Sequence, residues 1–262
     1  MRLALGILVA LLAIPRTSLA QTASLIADDA RIVVDVNVLG STDSLAKDRQ
    51  FQSRFITFGE VGSSFATYPE PSRTITFVDV GASYRLTRWS SVGIAYSRTD
   101  RDDVVGLGAT IPHPTFFASP ATGSGGTGEE LTRRESATHL YFGLPFRIKS
   151  AEFRGFVGPT FFSLKADMVQ EVMYLQTHDP ASPQQTITVN GFRTAEATAS
   201  DVGFHAGGDV TFYVTRMVGV AGGVRFSQGT VTLDPEPLSQ VAQEIRVGGT
   251  VIFVGLRLRV GG

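Results

Sequence analysis

The sequence contains no cysteine. That excludes a disulfide framework, a thiolate zinc site and a cysteine nucleophile. Charge is scarce too: 18% of residues are Asp, Glu, Lys or Arg, and 23 cations face 24 anions. A nucleic-acid binder carries a basic patch, and no excess of cations exists here to build one. Long apolar runs are missing beyond residue 20. A helix that crosses a bilayer needs roughly 20 apolar residues, so any membrane crossing after that point is made by strands.

What the sequence does have begins with an address. Met1-Arg2 is a short positive start, Leu3 to Ile14 is apolar, and Ser18-Leu19-Ala20 fits a small-x-small cleavage site. Residues 1–20 therefore read as a signal peptide cut before Gln21. Without Arg2 and Arg16 the balance is 21 cations to 24 anions.

Residues 21–262 read in period two, the repeat of a strand with two unlike faces. In 136–148, Leu140, Phe142, Leu144, Phe146 and Ile148 fall on one face and His139, Tyr141, Gly143, Pro145 and Arg147 on the other. The same alternation runs through 32–41, 74–86, 90–98, 201–214 and 217–227, and through the end of 246–260, whose middle, Val251 to Val254, is apolar on both faces. Residues 153–168 carry Phe on both faces, which predicts a bulge there. Eight strands result. Their connections alternate in length: 87–89, 149–151 and 215–216 are tight, while 42–73, 101–134, 169–197 and 229–244 are long. That alternation predicts an all-β, eight-stranded antiparallel up-and-down transmembrane barrel, with short periplasmic turns and long extracellular loops. Residues 51–67 read as strand-like extensions of the first hairpin above the membrane; a barrel of ten strands is the alternative.

The polar faces hold glycines, hydroxyls and opposed charges rather than the Lys and Glu of a solvated surface. They suit a narrow lumen filled by side chains. A lumen charge network is expected from Asp35, Asp79, Asp209, Arg85, Arg147, Arg225, Arg257 and Arg259, with Lys165 a further candidate cation. Arg225 is expected to pair with Asp209, because their strands adjoin in sequence. Tyr84, Trp89, Phe146, Phe153, Phe212 and Tyr213 cluster at the tight turns, where a girdle of rings at headgroup depth is expected.

The segments Asp79-Val80-Gly81-Ala82-Ser83-Tyr84-Arg85-Leu86, Val92-Gly93-Ile94-Ala95-Tyr96-Ser97 and Val218-Gly219-Val220-Ala221-Gly222-Gly223-Val224-Arg225-Phe226 carry a family likeness. With Gly207-Gly208-Asp209-Val210 and Gly255-Leu256-Arg257-Leu258-Arg259, they make residues 30 to 260 resemble the small bacterial outer-membrane β-barrels of OmpA-like or opacity type. The resemblance implies an outer-membrane location, contact with outer-membrane lipid, and assembly by the outer-membrane insertion machinery. Members of that family end in an aromatic residue read by the machinery, whereas Val260-Gly261-Gly262 stands here.

Specific chemistry is faint. His113, Phe116 and Phe117 in a Pro-rich segment are candidate loop contacts. His139 and His205 share the lumen face with Ser83, Ser97 and Ser227, but read better as lumen filling than as a nucleophile and its base. Gly123 to Gly128 lacks the Lys of a phosphate loop and reads as a flexible loop tip. No metal, cofactor or catalytic residue is expected. The expected role is structural or one of surface contact through the long loops. A narrow porin-like channel and a lipid- or lipopolysaccharide-modifying barrel enzyme are the alternatives.

Overall fold

A computed structural model describes residues 31–41, 49–68, 76–148, 150–233 and 243–260. The expected signal peptide and the terminal Gly261-Gly262 lie outside these described residues. The strands are β1 (Ile32–Ser41), β2 (Arg49–Thr57), β3 (Glu60–Tyr68), β4 (Thr76–Thr87), β5 (Ser90–Ile111), β6 (Ala121–Ile148), β7 (Ala151–His178), β8 (Gln185–Tyr213), β9 (Val218–Leu233) and β10 (Gln243–Val260). Eight of them close a ring in the order β5-β4-β1-β10-β9-β8-β7-β6, with β6 pairing back onto β5. Every pair in the ring is antiparallel. Closure removes the sheet edge, the condition for strands to sit in hydrocarbon. The other two strands form a hairpin, and β3 pairs with the upper part of β5 from Ser63↔Thr110 to Thr67↔Gly106. The barrel is eight-stranded, and the hairpin is an extension of it above the membrane.

The strands run much further than the hydrophobic alternation indicates. Most of 101–134 and 169–197, expected as loops, is paired strand, and 112–120 and 179–184 are what connects it. Gly123 to Gly128 is a correction of the same kind. It lies within β6, where Gly123 pairs with Ala109 and Gly125 with Leu107. A side chain at Gly123 would run into the backbone of Ile187, so glycine there lets β8 approach β6 closely. The bulge expected within 153–168 is absent. That stretch keeps one register with β8, and the bulges lie higher, at Val169/Glu171 and Met173/Tyr174. Phe153 and Phe161 face outward, while Phe156 and Phe162 point into the barrel.

Polarity inverts along the strands without any change of register. On β7 the outward residues Phe153, Val157 and Phe161 give way to Ser163, Lys165 and Asp167. The inward residues go the other way, from Glu152, Arg154 and Thr160 to Phe162, Leu164, Ala166 and Met168. β10 repeats this, with inward Arg259 and Arg257 below and Val247 and Ile245 above. The lower ring is therefore apolar outside and polar inside, as hydrocarbon demands. The upper ring is polar outside with a dry core, as water demands. That core holds Phe162, Leu164, Val231, Leu233, Ile245 and Val247, and continues upward through Val105, Leu107, Leu131, Val169 and Val172.

Tyr68 stitches the first hairpin to this core. Its hydroxyl accepts a hydrogen bond from the Val169 N–H at 2.7 Å, and burial pushes its phenol up to about 12. At the outer rim, Arg98 and Arg134 both donate to Asp100, at 3.1 and 2.8 Å, and hold its carboxyl below the usual range.

The inversion sets different penalties for one substitution at two heights. Leu144→Arg, on the outer face near mid-membrane, is expected to cost about 2–4 kcal/mol. Thr198→Arg, outward on β8 above the boundary, is expected to stay within about 0.5 kcal/mol. Leu164→Ala, fully buried above the membrane, is expected to cost about 2–5 kcal/mol. Unfolding free energies in lipid vesicles measure all three, and equal penalties for the two Arg substitutions would contradict the inversion.

Candidate functional site

The inward faces of the lower ring assemble a charge ladder. At the tight-turn end, Glu152 on β7 receives Arg85 of β4 at 2.8 Å, Arg259 of β10 at 2.7 Å and Arg147 of β6 at 3.5 Å. One level higher, Asp35 of β1 takes Arg257 at 2.8 Å and Arg154 at 3.5 Å. Asp209 of β8 takes Arg154 at 2.9 Å and also pairs with Arg257. Asp79 of β4 binds Arg225 of β9 at 2.9 Å and accepts from the Asn37 amide at 2.9 Å. The deeper groups are almost wholly withdrawn from solvent, Arg257 at 1% exposure and Asp35 and Asp79 at 2%, while Arg85 and Arg147 at the mouth are partly exposed. A buried charge is tolerable only with its partner in place.

All eight charged residues singled out in the sequence point into the lumen and take part in the ladder. Three features differ from the sequence reading. Glu152 and Arg154 are members it missed, because the phenylalanines of β7 blurred the alternation there. Arg225 pairs with Asp79 and not with Asp209. Gly223 lies opposite Asp209 in the β8–β9 register and Gly207 lies opposite Arg225, so Arg225 reaches across the lumen to β4. Lys165 sits above the membrane, exposed, and pairs with Glu196 at 3.1 Å. Among the aromatics, Tyr84, Trp89, Phe146, Phe153 and Phe212 are exposed on the outside, whereas Tyr213 is turned inward beneath the Arg259 guanidinium, 3.6 Å from its ring centre.

Above the ladder lies a chain of neutral groups. The Thr160 hydroxyl sits 2.8 Å from Nδ1 of both His139 and His205, and Ser97 Oγ lies 3.5 Å from His139 Nε2. The imidazole of His139 is thus oriented by a hydroxyl rather than a carboxylate. Two hollows of about 30 and 50 Å³ flank this layer, and His139 and Arg225 line both. Each has room for water alone. Among the described residues, no three His, Asp or Glu converge as metal ligands would.

At the far end of the extension, the β2–β3 turn Phe58-Gly59 has φ of 52° and 80°. Two successive positive φ values give the tight turn that matches the twist of a hairpin. The Glu60 carboxylate accepts the Ala118 N–H at 2.7 Å, which ties this turn to the 112–120 connection. Ala118 has φ of 55°. Two non-glycine residues therefore hold left-handed backbone within one contact of each other, a strained arrangement that persists only when its surroundings enforce it. His113 is buried, and its Nδ1 accepts the Thr115 and Phe116 N–H groups, each at 3.1 Å. It shapes the loop from within. Phe116 is half-buried and Phe117 is 76% exposed. Ile56 at 81%, Val61 and Phe58 join Phe117 at the surface. Phe58 is one of the phenylalanines that mark 51–67 as strand-like in the sequence; Ile56 and Val61 are not singled out there, and their signal is the Phe-Gly pair between two alternating segments.

No family model matches this sequence, and no curated protein matches it. Several solved structures resemble it. Outer membrane protein OprG of Pseudomonas aeruginosa aligns over 89% of this chain and 98% of its own, at 6% identity and a TM-score of 0.45. Ail, the attachment invasion locus protein of Yersinia pestis, solved with the heparin analogue sucrose octasulfate, aligns over 88% and 99% at 10% identity and 0.37. The outer membrane protease OmpT of Escherichia coli aligns over 88% and 97% at 11% identity and 0.38. Likenesses of this size accompany the architecture and do not establish it. The closed ring and the lipid-facing belt do: the chain is an outer-membrane β-barrel.

The pairings specify which losses couple. Asp79→Ala is expected to cost about 3–5 kcal/mol, since it strands Arg225 in the lumen. Adding Arg225→Ala should cost much less than the sum of the two single losses, whereas Asp209→Ala with Arg225→Ala should add within about 0.5 kcal/mol. Urea unfolding of the singles and doubles in vesicles reads both cycles. Additivity for Asp79 with Arg225 would break the assigned pair.

Proposed function

We propose that this protein is a non-catalytic outer-membrane barrel that makes contacts outside the cell through the tip of its β-extension. One observation carries the reading: the lumen is filled twice, by charge pairs within the membrane and by a dry core above it, while four apolar side chains are held out at the tip. A conduit has no use for the first feature, and a buried loop has no use for the second. From Phe161 to His178, β7 climbs roughly 55 Å along its own axis, which lifts the tip well clear of the membrane surface. Apolar side chains exposed on a strained, well-tied frame fit a contact surface that is ordered before it meets its partner.

The experiment displays the barrel on intact cells and measures their retention on octyl-coated beads as an apolar test surface. Phe117→Ser with Ile56→Ser should cut retention several-fold, while the purified protein conducts no steady current in planar bilayers. Unchanged retention, a stable single-channel conductance, or a modified lipid found by mass analysis after incubation would each overturn the reading.

A further inference from the structure

Among the described residues, the ladder gathers more cations than acids at its tight-turn mouth. There a hollow of about 690 Å³ opens beside the β4–β5 turn, lined by Arg31, Arg85, Arg88, Arg147 and Glu152 together with an apolar lip. Glu152 is already shared by Arg85, Arg147 and, from deeper in the lumen, Arg259, all on its Oε2 atom. Arg31 donates to the Tyr84 hydroxyl at 3.4 Å. Arg88 lies over the Trp89 ring, 5.2 Å from its centre. Among the described residues, four guanidiniums and one carboxylate, shared on a single oxygen, line a concave site that faces water on one side.

The other side of the hollow is greasy. Leu86, Trp89 and Phe146 line it and are exposed on the lipid-facing surface, with the Trp89 and Phe146 rings stacked at 6.5 Å. Guanidiniums match phosphate oxygens in a two-point geometry, and aromatic rings with one wet end settle at headgroup depth. The ligand chemistry that satisfies both walls is a phosphate with an acyl chain beside it. Short turns mark the periplasmic side of such a barrel, so the lipid is one of the inner leaflet. We propose that this mouth is a binding site for the phosphate headgroup of an anionic phospholipid from the periplasmic leaflet. Arg31 and Arg88 close on the phosphate, and Trp89 and Phe146 flank the first part of the chain. Basic hollows at a membrane boundary recognise lipid headgroups by the same chemistry in other membrane proteins.

The test uses the purified full-length barrel in detergent, with native mass spectrometry to count retained lipid during titration with phosphatidylglycerol. One phosphatidylglycerol per barrel is expected. Arg31→Gln with Arg88→Gln leaves the Glu152 cluster intact and should weaken retention about ten-fold or more. Trp89→Ala alone, at an unchanged unfolding midpoint, should weaken it as well, because the lip selects lipid over free anion. Equal retention by the Arg31→Gln, Arg88→Gln variant would overturn the proposal. So would inorganic phosphate that binds as tightly as the lipid and ignores Trp89→Ala, since the site would then serve a soluble anion.

Discussion

A peptide N–H or C=O facing hydrocarbon has no water to bond, and leaving it bare costs several kcal/mol, roughly. The lower half of this protein follows from that constraint. Strands satisfy it only by pairing on both sides, so the sheet must close, here with β5 meeting β6 after one turn of eight strands. Eight strands leave a bore just wide enough for side chains. The inward residues therefore touch one another, and any charge among them needs a partner in the bore. Arg257 between Asp35 and Asp209, and Arg225 across from Asp79, are consequences of closure as much as of the residues themselves.

The same strands leave the membrane without ending, and their two faces exchange chemistry as the solvent changes. A strand has no preference for which face is apolar; the medium outside decides. Above Phe161 the outside is water, so Ser163, Lys165 and Asp167 turn out and Leu164, Ala166 and Met168 turn in. The lower half uses ion pairs in its bore and the upper half uses burial of apolar surface. The two meet at His139, Thr160 and His205, neutral polar groups that bond one another. A column stiffened in both halves carries its tip at a fixed place. The strained turns at Phe58 and Ala118 are bearable because paired strands and the Glu60 contact hold them. The closed bore and the held-out tip together support contact rather than transport. The mouth, where cations outnumber acids among the described residues, faces the opposite compartment and answers to a different ligand.

The period-two alternation was enough to count the strands in the membrane, place the three tight turns, and assign Asp35, Asp79, Asp209 and five arginines to the lumen. That worked because hydrocarbon tolerates only apolar side chains, which makes the outer face of each strand plain to read. The signal failed where the medium changed. In 101–134 and 169–197 bulges shift the alternation, and Val104, Met173 and Leu175 stand outward among Thr, Ser, Glu and Arg, so paired strand looked like loop. The residues thus determined the closed barrel, its orientation of faces and the membership of most of its charge ladder. Only the tertiary structure decided which acid meets which base, because a side chain in a bore has neighbours on every strand around it. It also decided the apolar tip and the cationic mouth, since both join segments far apart in the chain that share no local pattern.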